Sequence, residues 1–431
     1  MEATNMECAQ LRELKKFLAE AVASSELTSD NELITVTRSS SDTYKVSNKE
    51  LHAELLLAIW KQLRSKGCPP GFQLKLLQTA LEHVKQALRQ NKECEVQLET
   101  PGEPQYDLLK LQKFSSSQLD KLLLKLTDNA KSEQLESYAQ PNTLCQDVAC
   151  SCQAKQQETM HSAAAVKNKP RKMEDRNVCL ERYGELYELQ QQCRYFGVFD
   201  GHSGALSACY ATSQLPQLLA EQLLKQQHSE DCQVDFYRHA FEAAFLQADA
   251  RFNQKRITSG TTAVCALITQ APPQHLYIAW VGDSKALLVG QRTQLQLVKP
   301  HKPEGNEERR RIELSGGTVI HAQGQWRVNG ILNVARSIGD HSLQAVIAEP
   351  DFVDVPLSEA HDFLLLGTDG LWDHVPETLI VDTVYACLAQ LDTKLEDIPK
   401  VLVEAAKQHD SQDNITVVLV LLKPRSEIKR S

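Results

Sequence analysis

The sequence predicts an α+β protein in which a helical N-terminal region is followed by packed β-sheets flanked by helices. Two observations carry this. Leucines at helical spacing fill much of the first third of the 431 residues, and from near His161 short β-rich apolar runs recur with helical stretches between them.

In the first region Ser47 and Glu50 make a capping-box pattern, and Leu51, Leu55, Ile59 and Leu63 follow at helical spacing until Gly67-Cys68-Pro69-Pro70 stops the helix. Leu74, Leu77, Leu81, Val84 and Leu88 alternate steps of three and four, and Leu119, Leu122, Leu123 and Leu126 mark a third helix. Such stripes usually pack the core of their own module, and a protein partner docked on these helices is the second reading. From Ser132 to Glu158 the chain is rich in Gln, Ser and Asn without apolar period, as a linker is. The predicted strands are Tyr195 to Phe199, Ala263 to Ile268, Leu276 to Val281, Ala286 to Val289, Phe363 to Leu366 and Ile415 to Leu422, with helices at Val234 to Phe252 and Glu304 to Leu314. The expected organisation is a helical region 1–131, a linker 132–158, a sheet-containing domain 159–424 and a basic tail 425–431.

A net charge of -9 disfavours a general nucleic-acid binder, which presents a basic face, and points to protein partners. The first ten residues lack the apolar stretch of a secretory signal, and no apolar run approaches the ~20 residues that span a bilayer. The expected setting is therefore cytoplasmic, with the nucleus as a second compartment and no membrane partner. The 12 cysteines are then expected to be free thiols. Cys145, Cys150 and Cys152 cluster, but no His lies at ligand spacing, which disfavours zinc.

Acidic residues punctuate the apolar runs. Asp200 follows Phe199, Asp369 follows Thr368, Asp413 precedes Ile415 to Leu422, and Glu174-Asp175 lies upstream. A lone Asp-Gly is an ordinary turn pair. Here Asp200-Gly201, Asp369-Gly370 and Gly282-Asp283 all follow apolar strands, and carboxylates converging from strand ends would repel unless cations offset them. Hard divalent ions such as Mg²⁺ and Mn²⁺ take such oxygen ligands.

These residues stand in an ordered series: Lys172-Met173-Glu174-Asp175-Arg176, Val198-Phe199-Asp200-Gly201-His202-Ser203-Gly204, Ser259-Gly260-Thr261-Thr262-Ala263, Val281-Gly282-Asp283-Ser284, Arg327-Val328-Asn329-Gly330, Ala335-Arg336-Ser337-Ile338-Gly339-Asp340, Thr368-Asp369-Gly370-Leu371-Trp372-Asp373 and Asp413-Asn414-Ile415-Thr416. The series resembles the metal-dependent type 2C protein serine/threonine phosphatases from about Ala163 to Lys423. Ala279-Trp280 and Trp326-Arg327-Val328-Asn329-Gly330 look most like the calmodulin-dependent protein kinase phosphatase branch, also called partner of PIX.

The resemblance implies two packed, mainly antiparallel sheets in αββα layers. It implies hydrolysis of phosphoserine and phosphothreonine in proteins by a metal-activated water at a two-ion Mn²⁺ or Mg²⁺ centre, with no covalent enzyme intermediate. By the same resemblance Asp200 bridges both ions and the Gly201 carbonyl holds one. Asp369 and Asp413 hold the other, Glu174 and Asp175 act directly or through water, and Asp283 and Asp373 match a weaker third site. His202 matches the general acid that protonates the leaving oxygen. Phosphoproteins are the implied substrates, among them kinases of the calmodulin-dependent or p21-activated type.

Two positions depart from the family. Pro170 stands where a phosphate-binding Arg is common, which makes the neighbouring Arg171 the candidate for that contact, with Lys169 beside it. Ser203 replaces a Gly, a change expected to be tolerated. Cys232 and Arg238 match the spacing of cysteine phosphatases, but the residues between them include no Gly to wrap a phosphate and belong partly to a predicted helix. The alternative function is a catalytically silent phosphoprotein-binding scaffold of the same fold. Retention of the carboxylate series argues against it.

Overall fold

The computed structural model describes residues 11–23, 43–96, 103–128, 160–225, 233–270, 272–390 and 392–428. The chain divides into two compact units, Met1–Lys155 and Gln156–Ser431. The expected linker at 132–158, the cluster Cys145, Cys150 and Cys152, and Cys232 all lie outside the described residues.

In the first unit, helices α1 (Asn48–Ser65), α2 (Pro70–Gln90) and α3 (Leu108–Asp128) pack on one another. Ser47 N donates to Glu50 Oε2 at 2.8 Å, closing the capping box at the start of α1. Gly67 takes φ +75° just after that helix ends, and Pro70 opens the next, where a missing N–H costs nothing. Leu55, Ile59, Leu63, Leu74, Leu77, Leu81, Val84, Leu88, Leu119 and Leu123 are all buried. The leucine stripes therefore build the unit's own core. A two-stranded antiparallel ribbon pairs Lys45–Ser47 with Gln105–Asp107.

The second unit is built on ten strands: β1 (His161–Val166), β2 (Arg176–Leu180), β3 (Cys193–Phe199), β4 (Ala263–Thr269), β5 (His275–Val281), β6 (Lys285–Gly290), β7 (Gln294–Gln296), β8 (Asp351–Pro356), β9 (His361–Gly367) and β10 (Ile415–Leu421). They form two five-stranded sheets, ordered β7-β6-β9-β10-β1 and β8-β5-β4-β3-β2. Every ladder in both is antiparallel.

Alternation decides which side chains meet. Phe196, Val198, Val264, Ala266, Ile278, Leu288, Leu364, Leu366, Val418 and Val420 form the core between the sheets. The intervening Leu287, Val289, Phe363, Leu365, Val417 and Leu419 turn outward onto Ile380, Val384, Leu402 and Val403 of helices α7 (Glu377–Ala389) and α8 (Ile398–Gln408). Helices α4 (Leu206–Lys225) and α5 (Gln233–Asn253) pair with each other beside the second sheet, and α6 (Asn306–Leu314) packs against the strand Val319–Ala322. The layers are α, β, β, α, and the central strands are apolar on both faces because both faces are covered.

Arg425 donates to the carbonyls of Cys387, Leu388, Gln390 and Thr393, and Ile428 joins the core under α7. The expected basic tail is thus anchored at least through residue 428. The segment around Arg238 is helical and its guanidinium stacks over the Phe352 ring, so no phosphate loop forms there.

Candidate functional site

The site forms where central strands of both sheets end together. Asp200 follows β3, Asp283 follows β5, Asp369 follows β9, and Asp413 precedes β10, which runs antiparallel to β9. Oxygens of Asp200, Asp283 and Asp369 lie within 4.8 Å of one another. With Glu174, Gly201, His202, Ser203, Thr262, Asn333, Val334 and Asp413 they line a cavity of about 200 Å³.

Local hydrogen bonds fix these groups. Asp200 N donates to Thr262 Oγ1 at 3.2 Å, while Thr262 N and Thr261 Oγ1 donate to the Asp200 carbonyl at 2.9 and 3.0 Å. Gly204 N donates to Glu174 Oε2 at 3.1 Å. Asn414 is buried. Its amide accepts from Glu174 N at 2.7 Å and donates to the Lys167 carbonyl at 2.7 Å, so the side chain of this formal sequon clamps the segment that carries Glu174. A Cβ on Gly201 would come within 2.6 Å of the Glu174 carbonyl, and one on Gly370 within 2.0 Å of the Asn414 carbonyl. Glycine is what lets these segments approach.

Asp175 does not line the cavity. It lies buried, accepting from Thr416 Oγ1 at 2.8 Å and Thr368 Oγ1 at 3.0 Å. Burial pushes its carboxyl up to about 6 against the pull of those hydroxyls. Asp373 is exposed outside the lining, yet its charge bears on Asp369. Arg171 is likewise exposed and outside the lining, as are Lys167 and Lys169.

Four residues near the site had no role in the sequence reading. Lys302 makes an ion pair with buried Asp283 and feels Asp369 and Asp373 as well. Asp340 Oδ2 is 2.6 Å from His202 Nε2 and also accepts from Ser337 Oγ at 2.6 Å. Asn333 and Val334 close another wall of the cavity. Asp340 stands in the quoted Ser-Ile-Gly-Asp run, which was its only signal. Nothing local marked Lys302. Ser203, at the position where the family commonly has Gly, takes φ +57°, the left-handed region that glycine enters most freely.

The electrostatics call for a cation. Burial, then the charge of Asp369, pushes Asp200 well above the usual carboxylate range, and burial, then Asp283, does the same to Asp369. Asp369 Oδ1 is a buried oxygen without a hydrogen-bond partner. An all-oxygen set with an orphaned carboxylate oxygen suits a hard divalent ion such as Mg²⁺ or Mn²⁺, and offers no soft ligand for zinc or copper.

An αββα sandwich with carboxylates clustered at one end of its strands makes this an α+β domain with an acidic site suited to a hard divalent cation. The chain belongs to the protein phosphatase 2C family, whose pattern matches residues 159–415. Human Protein phosphatase 1F is 38% identical over 288 residues, an alignment spanning 65% of this chain and 61% of that protein. Mouse Protein phosphatase 1E is 37% identical over 270 residues, spanning 61% of this chain and 34% of its own length. The matched stretch thus covers less than two thirds of these relatives. Among solved structures, a C. elegans sex determining protein superposes with a TM-score of 0.75 at 21% identity, covering 96% of this chain and 95% of that one. The Toxoplasma gondii serine-threonine phosphatase 2C superposes at 0.51 with 20% identity, covering 61% of this chain and 94% of that one. Both likenesses speak to fold.

Proposed function

We propose that this protein removes phosphate from phosphoserine and phosphothreonine in proteins, using water as the acceptor. The observation that carries the reading is the meeting of Asp200, Asp283 and Asp369 within 4.8 Å in a cavity that His202 also lines. Asp200, Asp369 and Asp413, with the Gly201 carbonyl and Glu174, would hold two Mn²⁺ or Mg²⁺ ions, and Asp283 and Asp373 a weaker third. Asp175, set behind the lining, would act through Asp200 or through water. Bound divalent ions supply Lewis acidity, which lowers the pKa of water and offsets phosphoryl charge.

The chain's own residues do the rest. Asp340 Oδ2 holds the Nε2 edge of the His202 ring at 2.6 Å, and the ring's other nitrogen would carry the proton for the departing seryl or threonyl oxygen. Arg171 would reach the phosphate from outside the lining. The kinship with Protein phosphatases 1F and 1E supports phosphoprotein substrates; kinases of the calmodulin-dependent or p21-activated type, a cytoplasmic or nuclear setting and a protein partner for the N-terminal helices are part of the same proposal.

A panel of phosphopeptides and small phosphate esters assayed with and without Mn²⁺ tests this reading. Metal-dependent release of phosphate from phosphoserine and phosphothreonine peptides is expected. Full turnover after chelation would refute it, and so would cleavage confined to small esters.

A further inference from the structure

Asp249 lies on α5 and does not line the catalytic cavity. Its Oδ1 accepts from Gly339 N at 2.8 Å and lies 2.9 Å from His341 Nε2. These are the residues on either side of Asp340. Ile338–Gly339 is the edge strand of a small three-stranded ribbon and leads into this tripeptide; in the ribbon Gly339 pairs with Gly260 and Gly260 pairs with His202. Asp340 itself has φ +52°, and Gly339 φ +101°. A non-glycine residue in the left-handed region persists only where its surroundings over-determine it.

One carboxylate oxygen therefore ties down both neighbours of a residue whose backbone would otherwise relax. We infer that Asp249 is a positioning residue for catalysis, holding the 339–341 segment so that Asp340 meets His202. The inference rests on the reading of His202 as proton donor. The chain of contacts runs from α5 through the Gly339 amide and the His341 ring to Asp340, and from Asp340 Oδ2 to the imidazole. Ser337 Oγ fixes the same oxygen from within the loop. The His341 ring also packs against Phe252, one turn further along α5.

The test compares D249A, D249N, D340A, H202A and the double variant D249A/D340A on a phosphoserine peptide and on an aryl phosphate, whose phenolate leaves without a proton. D249A is expected to lower peptide kcat by about 10- to 100-fold, as sub-ångström misplacement of a catalytic group does, with aryl phosphate turnover changed by less than about twofold. D249N, which keeps one acceptor oxygen, should recover part of the loss. In the D340A background D249A should add nothing, because its effect passes through Asp340. Additive losses in the double variant would overturn the inference. Equal losses on both substrates from D249A, with H202A still selective for the peptide, would do so too. If H202A itself is unselective, the proton-donor reading fails, and the Asp249–Asp340 cycle alone decides whether the two residues act as one unit.

Discussion

Asp340 Oδ2 sits 2.6 Å from His202 Nε2, although the two residues are 138 positions apart in the chain. Gly260 lies between their strands, and a Cβ there would fall 1.9 Å from that oxygen and 2.4 Å from that nitrogen. The pair exists because the middle strand of the ribbon has no side chain at this point.

Gly260→Ala should therefore push the pair apart. Peptide kcat is expected to fall by about 10²-fold, with a stability loss of about 1–3 kcal/mol from overpacking. Steady-state kinetics with a melting curve would check this, and unchanged peptide turnover would show that the His202–Asp340 contact is dispensable.

The carboxylate cluster predicts opposite effects of one substitution with and without metal. Asp369→Asn removes a charge held unfavourably among Asp283, Asp413 and Asp373. In chelator the variant should melt above the wild type. Added Mn²⁺ should raise the melting temperature of the wild type and scarcely move the variant, since a ligand stabilises only the state that binds it. Equal stabilisation of both proteins by Mn²⁺ would remove Asp369 from the ligand set.

If Arg171 supplies the phosphate contact that Pro170 cannot, Arg171→Ala should raise KM for phosphopeptide and weaken inhibition by inorganic phosphate in parallel, because one charge-assisted contact serves both. Lys169→Ala should do less. No change in either constant would leave the exposed cluster as a solvated basic edge.

His341 carries a pH signature of its own. Its pKa is raised above 6.5, first by the hydrogen bond to Asp249, then by the charges of Asp249 and Asp340. A group whose folded pKa is raised contributes stability that is complete below its unfolded pKa and fades as pH climbs through the folded value. The melting temperature lost in His341→Gln should therefore be larger near pH ~6 than near pH ~9. The reverse order would contradict a protonated His341 at the lower pH.

A chain beginning at Glu158 should stay folded and keep its activity on small phosphate esters, because the cavity lining lies wholly within the second unit. Intact phosphoproteins should suffer more than short peptides if the helices dock substrate. Insolubility, or equal loss on every substrate, would mean that the first unit completes the core of the second.

The sequence alone determined the central strands and the carboxylates at their ends. β3, β4, β5, β6, β9 and β10 are covered by the facing sheet on one side and by helices or loops on the other, so burial demanded continuous apolar runs that are visible residue by residue. Of the ten strands in the two large sheets, the four it missed, β1, β2, β7 and β8, are the sheet edges. An edge strand is paired on one side only and is covered less completely, so Ala163 to Ala165, the wholly exposed Gln294 to Gln296 and the half-exposed Asp351 to Val355 carry little apolar signal. The site divides in the same way. Asp200, Asp369 and Asp413 announce themselves because an acid directly beside an apolar strand is locally conspicuous. Lys302, Asp340 and Asp249 act only through partners brought to them by the fold, Asp283, His202 and the Gly339 amide. No local pattern encodes those meetings, because each depends on where another segment of the chain comes to rest.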